Sequence, residues 1–370
     1  MVNISSEGSN GTSTVQKRIA ILVGNGVEDS EFKIPYTALK QTKANVRVIG
    51  SRMNDEYKGK QGKVSVKPDA TFTEVRSEDF DAIIIPGGQA PDHIRTNQNA
   101  VRLVMNAMAQ GILVAAICHG PQVLIEADQL RGKRATGFRS IRKDMQNAGA
   151  TYVDESVVID GNLITSRRPG DLALFTETIL GNLGLMAQQA QPTAMADTSY
   201  DWWQRAAEWG GSSRLDILNA LNAAILGERY TLDALKQYGD RTSDPELSLV
   251  LQEIVGVKNT NMMLLETRLN AFDEKVTWQN LGSDAYATLQ NWLQSSDDLS
   301  IMRRTLGDLQ TGIIDAMHFS SQLTDPITAD VFQQVELNLL TCEERLSTLY
   351  RARLGEKVQS PNPTTLAATA

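Results

Sequence analysis

At 370 residues the chain is longer than one hydrophobic core usually serves, and 41% hydrophobic with 22% charged residues fits soluble globular domains. No run approaches the roughly 20 apolar residues of a membrane span, and two cysteines exclude a disulfide framework and leave no C-x-x-C pair for zinc. Residues 1–190 carry 22 Lys and Arg against 20 Asp and Glu, and residues 191–370 carry 14 against 24, so neither half offers a basic footprint for nucleic acid.

The first stretch, MVNISSEGSNGTSTVQ, lacks the basic and apolar regions of a signal peptide and reads as a disordered tail over 1–16. The sequons at Asn3 and Asn10 are then incidental, and a cytoplasmic location is expected. Four continuous apolar runs follow: RIAILV (18–23), VRVIG (46–50), DAIIIP (81–86) and ILVAAI (112–117). Such runs suit strands covered on both faces. Helical patterns, IPYTALKQT and AVRLVMNAMAQ, lie between them, and VVID and LITS flank Gly161 as a hairpin. This alternation predicts an α/β domain over 17–187, with an open, mainly parallel sheet sandwiched by helices. Ligands in such sheets bind beyond the carboxyl ends of the strands.

The texture changes near residue 187. Residues 188–213, with Trp202, Trp203 and Trp209 and a Gly-Gly break, read as a linker whose tryptophans pack on a domain surface. Four helical seams follow: Leu218, Leu221, Ile225, Leu232 and Leu235; then Leu247, Ile254, Val257 and Leu264. The third is Leu299, Met302, Leu306, Leu309 and Ile313, and the fourth Phe332, Val335, Leu339, Cys342, Leu346 and Leu349. They predict an acidic, all-α four-helix bundle over 214–355, followed by a disordered tail over 356–370. Glu228 sits on the first seam where a leucine would fit. A di-iron bundle would need Glu-x-x-His on two further helices, whereas Glu253 is followed by Gly256, and Asp315 with His318 falls off the inward stripe. The bundle loosely resembles a ferritin-like fold without its metal site, and Glu228 is expected to be paired or partly solvated.

In the α/β half, GNGVEDSE begins G-x-G but lacks the third glycine. Its carboxylates Glu28, Asp29 and Glu31 would repel a pyrophosphate, so no dinucleotide cofactor is expected; Glu28 and Asp29 read as dipole complements at a helix start. The sharper motif is LVAAICHGPQ (113–122). A strand ends at Ile117 and Gly120-Pro121 opens a helix, which puts Cys118 on a strand-to-helix elbow where the helix start favours a thiolate. Cys342, inside a leucine seam, reads as structural. A thiolate nucleophile needs a base. Of His93, His119 and His318, His119 adjoins the cysteine, while His93 follows the PGGQAPDH loop and His318 belongs to the bundle. Gly87 and Gly88 allow backbone N–H groups, with that of His119, to approach an oxyanion. Glu31 reaches the same strand ends, where a protonated carboxyl donates a hydrogen bond to sulfur.

The stretches GVEDSEFKIPYTAL, IIIPGGQAPDHIR, VAAICHGPQVLIEADQLRGKRAT, IRKDMQNAGA and VVIDGNLITSRRPGDL closely resemble the PfpI family of intracellular proteases, within the DJ-1/PfpI superfamily of class I glutamine-amidotransferase-like folds. The resemblance runs from about Arg18 to Leu180. It implies a flavodoxin-like sheet, Cys118 as nucleophile, His119 as base, Glu31 as the acidic neighbour of the thiol, no cofactor and no metal. It also implies a homo-oligomer built through the catalytic half, in which a neighbouring subunit supplies the acid that orients the histidine. That position is Asp92, an aspartate where a glutamate is usual, about one methylene shorter. Phe138 stands where relatives often carry a tyrosine or tryptophan. Three functions follow: a cysteine hydrolase acting on peptides or small amides, a cofactor-independent glyoxalase or deglycase acting on methylglyoxal or glycated adducts, and a non-enzymatic sensor or chaperone responding to Cys118 oxidation. A peptide or small carbonyl compound is the expected partner, with no nucleic acid and no membrane.

Overall fold

A computed structural model describes residues 16–186, 200–275 and 297–354. The sequons at Asn3 and Asn10, residues 1–15 and 356–370 of the expected tails, and residues 188–199 of the expected linker lie outside the described residues. The chain divides into two compact units, 1–211 and 212–370.

In the first unit the strands are β1 (Arg18–Leu22), β2 (Asn45–Gly50), β3 (Tyr57–Lys58), β4 (Ser65–Val66), β5 (Ala70–Thr71), β6 (Ala82–Ile85), β7 (Leu113–Ile117), β8 (Arg134–Ala135), β9 (Thr151–Tyr152), β10 (Val157–Asp160) and β11 (Leu163–Ser166). The helices are α1 (Asp29–Gln41), α2 (Ala90–Ile94), α3 (Gln98–Ala109), α4 (Pro121–Glu126), α5 (Arg142–Asn147), α6 (Leu172–Asn182) and α7 (Trp202–Glu208). Seven strands form one sheet in the order β10-β11-β7-β6-β1-β2-β5, parallel except for the β10–β11 hairpin at its edge. The apolar runs of β1, β6 and β7 sit at its centre, and Ile19, Ile21, Ile83, Ile84, Val114 and Ala116 are fully buried. Gly161, at φ 64°, makes the turn of the hairpin with the expected residues facing each other. Of the stretch expected to be a linker, residues 200–211 pack into this unit instead. Trp202 and Trp209 are buried, the Trp209 indole donates to Gln41 (3.2 Å), and the Arg205 guanidinium sits 4.4 Å from the Trp209 ring centre. Two aromatic side chains with this much apolar area are more stable inside a core than along a linker.

The second unit contains four long helices among its described residues: α8 (Arg214–Arg241), α9 (Pro245–Asn270), α10 (Asp298–Gln322) and α11 (Pro326–Arg353). Their starts are written in the sequence. Ser213 and Asp216 form a capping box, Asp244 and Asp325 precede a proline and accept first-turn N–H groups, and Asp297 accepts that of Ser300 (2.9 Å). Three-residue connections join α8 to α9 and α10 to α11, which makes each pair antiparallel. The fourth seam is buried throughout, as expected. The other three depart in part from expectation, and in α8 Leu218 is only half-buried while Ile217 is buried. Val257 and Leu264 are only half-buried, and the inward stripe of α9 continues through Lys258, Asn261 and Leu265. In α10, Leu299 is 38% exposed, while Ile301 and Thr305 point inward. A seam traced through leucines misses inward polar residues, and here they form part of the stripe. Among the described residues no helix is long and apolar enough to cross a membrane.

Candidate functional site

Three strand ends meet at the carboxyl edge of the sheet, those of β1, β6 and β7. After β7 the chain turns sharply, and Cys118 takes φ 60°, a left-handed backbone that costs a non-glycine residue about 1–3 kcal/mol. The turn is fixed from both sides: the Cys118 N–H donates to the Ser166 carbonyl (3.0 Å), and the Cys118 carbonyl accepts from the Phe138 N–H (2.9 Å). Gly120 has no room for a side chain, since a Cβ there would lie 2.3 Å from the Ile85 carbonyl oxygen. The sulfur is mostly buried, with the residue 7% exposed.

The His119 ring lies beside it. Its Nδ1 is 3.3 Å from Cys118 Sγ and its Nε2 is 3.1 Å from Ser140 Oγ. Phe138 stacks on the imidazole with ring centres 5.1 Å apart. Burial, then the positive charge of Lys60, lowers the His119 pKa, so the ring is neutral at neutral pH and able to take a proton. Ser140 gives no signal in the sequence, because a hydroxyl 21 positions away has no characteristic spacing from the histidine.

Glu31, on the first turn of α1, is fully buried. Its Oε2 accepts the Gly87 N–H at 2.7 Å, Oε1 has no hydrogen-bond partner, and the carboxyl lies beside the thiol of Cys118. Burial, then the charge of Glu28, pushes the Glu31 carboxyl well above the usual carboxylate range. Burial, then Glu31, pushes the Cys118 thiol well above its ordinary value. The expectation that the helix start lowers the thiol pKa is therefore corrected. α4 is only six residues long, and desolvation next to a carboxyl outweighs it. The two acids titrate as a pair, and sulfur ionises with least penalty when Glu31 keeps its proton.

The glycine loop is also partly reassigned. The Gly87 N–H is engaged by Glu31, so it positions the carboxyl and is not free for an oxyanion. A Cβ on Gly87 would lie 2.6 Å from Glu31 Oε2 and 2.8 Å from both Cys118 Cβ and the His119 nitrogen. Gly88 has φ 76°, and its N–H donates to no acceptor among the described residues; the His119 N–H faces the sulfur. Asp92 is not brought to the site within one chain. Its carboxylate is bound by Arg95 (2.5 Å), and both His119 nitrogens face other partners. His93 is exposed.

Glu28 and Asp29 do more than complement a helix dipole. Asp29 is buried and accepts the N–H groups of Gln61 and Val64 (2.7 Å each), while Glu28 takes the Gln61 side chain (2.9 Å) and lies 3.8 Å from Lys60. Together they fasten the β3–β4 hairpin beside the site and bring a cation to its edge. The hairpin's two-residue strands are too short to register in the sequence.

In the second unit, Glu228 is buried against Lys258 at 3.2 Å. Glu253 pairs with Arg345 at the surface, and His318, with Asp315, is exposed. Cys342 is buried, and burial pushes its thiol up to about 11. Among the described residues no group of three or more His, Cys, Asp or Glu is placed to hold a metal ion. The di-iron centre implied by a ferritin-like shape does not fit these side chains, because an ammonium faces the inward Glu228.

Residues 17–182 match the DJ-1/PfpI family. Deglycase PfpI of Pyrococcus furiosus is 45% identical over 155 residues, which cover 42% of this chain and 92% of that protein. An uncharacterized protein of Staphylococcus aureus strain Mu50 is 43% identical over 169 residues, 45% of this chain and 98% of its own. Among solved structures, a two-domain protein of Anabaena variabilis with DJ-1/ThiJ/PfpI-like and ferritin-like domains matches with a TM-score of 0.87 at 49% identity, covering 94% of this chain and 99% of that one.

Proposed function

The chain belongs to the DJ-1/PfpI family, and on that premise we propose that it is a cofactor-independent enzyme that uses Cys118 to add to reactive carbonyl compounds, namely 2-oxoaldehydes and their adducts with amines. The observation that carries this reading is the buried Cys118 Sγ with the half-buried His119 Nδ1 at 3.3 Å and the buried carboxyl of Glu31, held above its usual range, beside it. In the first step the sulfur forms a bond to the aldehyde carbon. The carbonyl π pair moves to oxygen, which takes a proton, and a hemithioacetal results. Neutral His119 then carries the C–H proton from that carbon to the neighbouring one while the hydroxyl proton passes to the neighbouring oxygen, and the hemithioacetal becomes a 2-hydroxy thioester. Water cleaves the thioester, releases the 2-hydroxy acid and returns the thiol. Lys60 at the rim favours substrates carrying negative charge.

Amide hydrolysis is the second reading. It asks more of the site, because an imidazole held by a hydroxyl and a thiol with a raised pKa form a weak nucleophile for an unactivated amide. The relative from Pyrococcus furiosus is named a deglycase, which supports placing carbonyl chemistry ahead of peptide cleavage. Side-by-side assays of the purified chain with methylglyoxal, a methylglyoxal-treated amine and fluorogenic peptides test this ranking. Turnover of the first two, lost in Cys118→Ala with the fold retained and lowered about 10²–10⁴-fold in His119→Ala, is expected. Peptide cleavage without carbonyl turnover would reverse it.

A further inference from the structure

The second unit holds a cavity of about 440 Å³ among its four helices, a volume within the range of small-molecule sites. Phe319, Phe332 and Val335 supply apolar and aromatic wall. Its charged lining is Glu228, Lys258, Asp308 and Asp315, three carboxylates against one ammonium. We propose that this cavity binds a small organic monocation, an amine carried on an apolar or aromatic body.

Polar capacity inside the cavity is left unused. Glu228 is 6% exposed and Lys258 2% exposed, and Lys258 Nζ donates to Glu228 Oε2 at 3.2 Å. The hydrogen bond from Lys258 uses Oε2, and the other glutamate oxygen, Oε1, lies 3.9 Å from where a Cβ on Gly312 would be. Asp308, on the facing helix, makes no hydrogen bond or ion pair among the described residues. Burial, only partly offset by Lys258 and Arg304, pushes its carboxyl up to about 7. Two carboxyl groups, Glu228 from α8 and Asp308 from α10, thus line the cavity, with the Tyr230 hydroxyl on the same wall. An ammonium group placed between them would give each a charge-assisted hydrogen bond, while its body packs on Phe319 and Phe332, whose ring faces also attract cations.

The same inventory disfavours the other occupants. With Lys258 taken by Glu228, an anion would meet the carboxyl groups of Asp308 and Asp315 with no further ammonium in the lining. A metal ion would meet the Lys258 ammonium where it needs a ligand, and the lining lacks a cluster of three ligating groups. This inference stands apart from the chemistry of Cys118.

Calorimetric titration of the full chain with tryptamine, 3-methylindole and indole-3-acetate tests it. Tryptamine is expected to bind about tenfold or more tightly than the other two, the discrimination of one charged hydrogen bond. Asp308→Asn should remove that advantage and leave 3-methylindole unaffected. Gly227 lines the cavity, and a Cβ there meets no heavy atom within 4 Å, so Gly227→Trp should fold, checked by its melting temperature, yet lose tryptamine binding. No binding up to millimolar tryptamine, equal affinity for all three compounds, unchanged binding in both variants, or competitive displacement by manganese(II) would each overturn the proposal.

Discussion

Between Glu31 and Cys118, pH dependence follows from which group holds the proton. The folded Glu31 keeps its proton to higher pH than an unfolded glutamate, whose pKa is about 4.3. Over that window the native state binds more protons than the unfolded one, so this residue's contribution to stability falls as pH rises. Glu31→Gln keeps the shape, accepts the Gly87 N–H and never ionises. Its melting temperature should match that of the wild type near pH 4 and exceed it increasingly toward neutrality, as thermal melts across pH would show. The same substitution removes the charge that pushes the thiol up. Alkylation of Cys118 by iodoacetamide should then set in at lower pH than in the wild type, and an unchanged profile would remove Glu31 as the controlling neighbour.

Among the elements, the start of α1 does two tasks. Its first turn places Glu31 under the sulfur, and Asp29 fastens the β3–β4 hairpin through two backbone donors. Removing a buried acceptor leaves donors unpaired at a cost of about 1–3 kcal/mol. Asp29→Ala is expected to lower stability by about that amount and to speed hydrogen exchange at Gln61 and Val64 selectively. Because the hairpin carries Lys60, the variant should also raise KM for charged carbonyl substrates more than it lowers kcat. Uniform exchange across the first unit would show that Asp29 is not a local fastening. Such anchoring is not legible in the chain, where Glu28, Asp29 and Glu31 look alike; burial and the backbone donors they meet distinguish them.

At the scale of the whole molecule, the chain itself offers Ser140 to orient His119, and the proposed alternative is Asp92 from a second copy. Within one chain Ser140 faces Nε2, and Asp92, with a side chain 59% exposed, is held by Arg95. An acid supplied by a second copy fits the exposed position of Asp92. Gel filtration is expected to give an oligomer, and Asp92→Ala to lower kcat within it. A fully active monomer would leave Ser140 as the group that orients the ring. The two units keep their own cores, and that of the bundle is partly polar. Glu228 and Lys258 are buried opposite one another, a pair that costs desolvation and is stable only while both members are present.

The sequence by itself determined the alternation of strands and helices, the four helix starts of the bundle, and the elbow at Cys118. Each of these depends on local chemistry: apolar periodicity, a capping side chain, or a proline whose missing N–H suits a first turn. Tertiary structure alone decided that Gly87 serves Glu31, that Ser140 meets His119, that Lys258 turns inward, and that the thiol is hard to ionise. Those outcomes depend on groups brought together from distant positions and on the loss of water around them. Desolvation and charge pairing are set by the assembled neighbourhood, which no stretch of sequence contains.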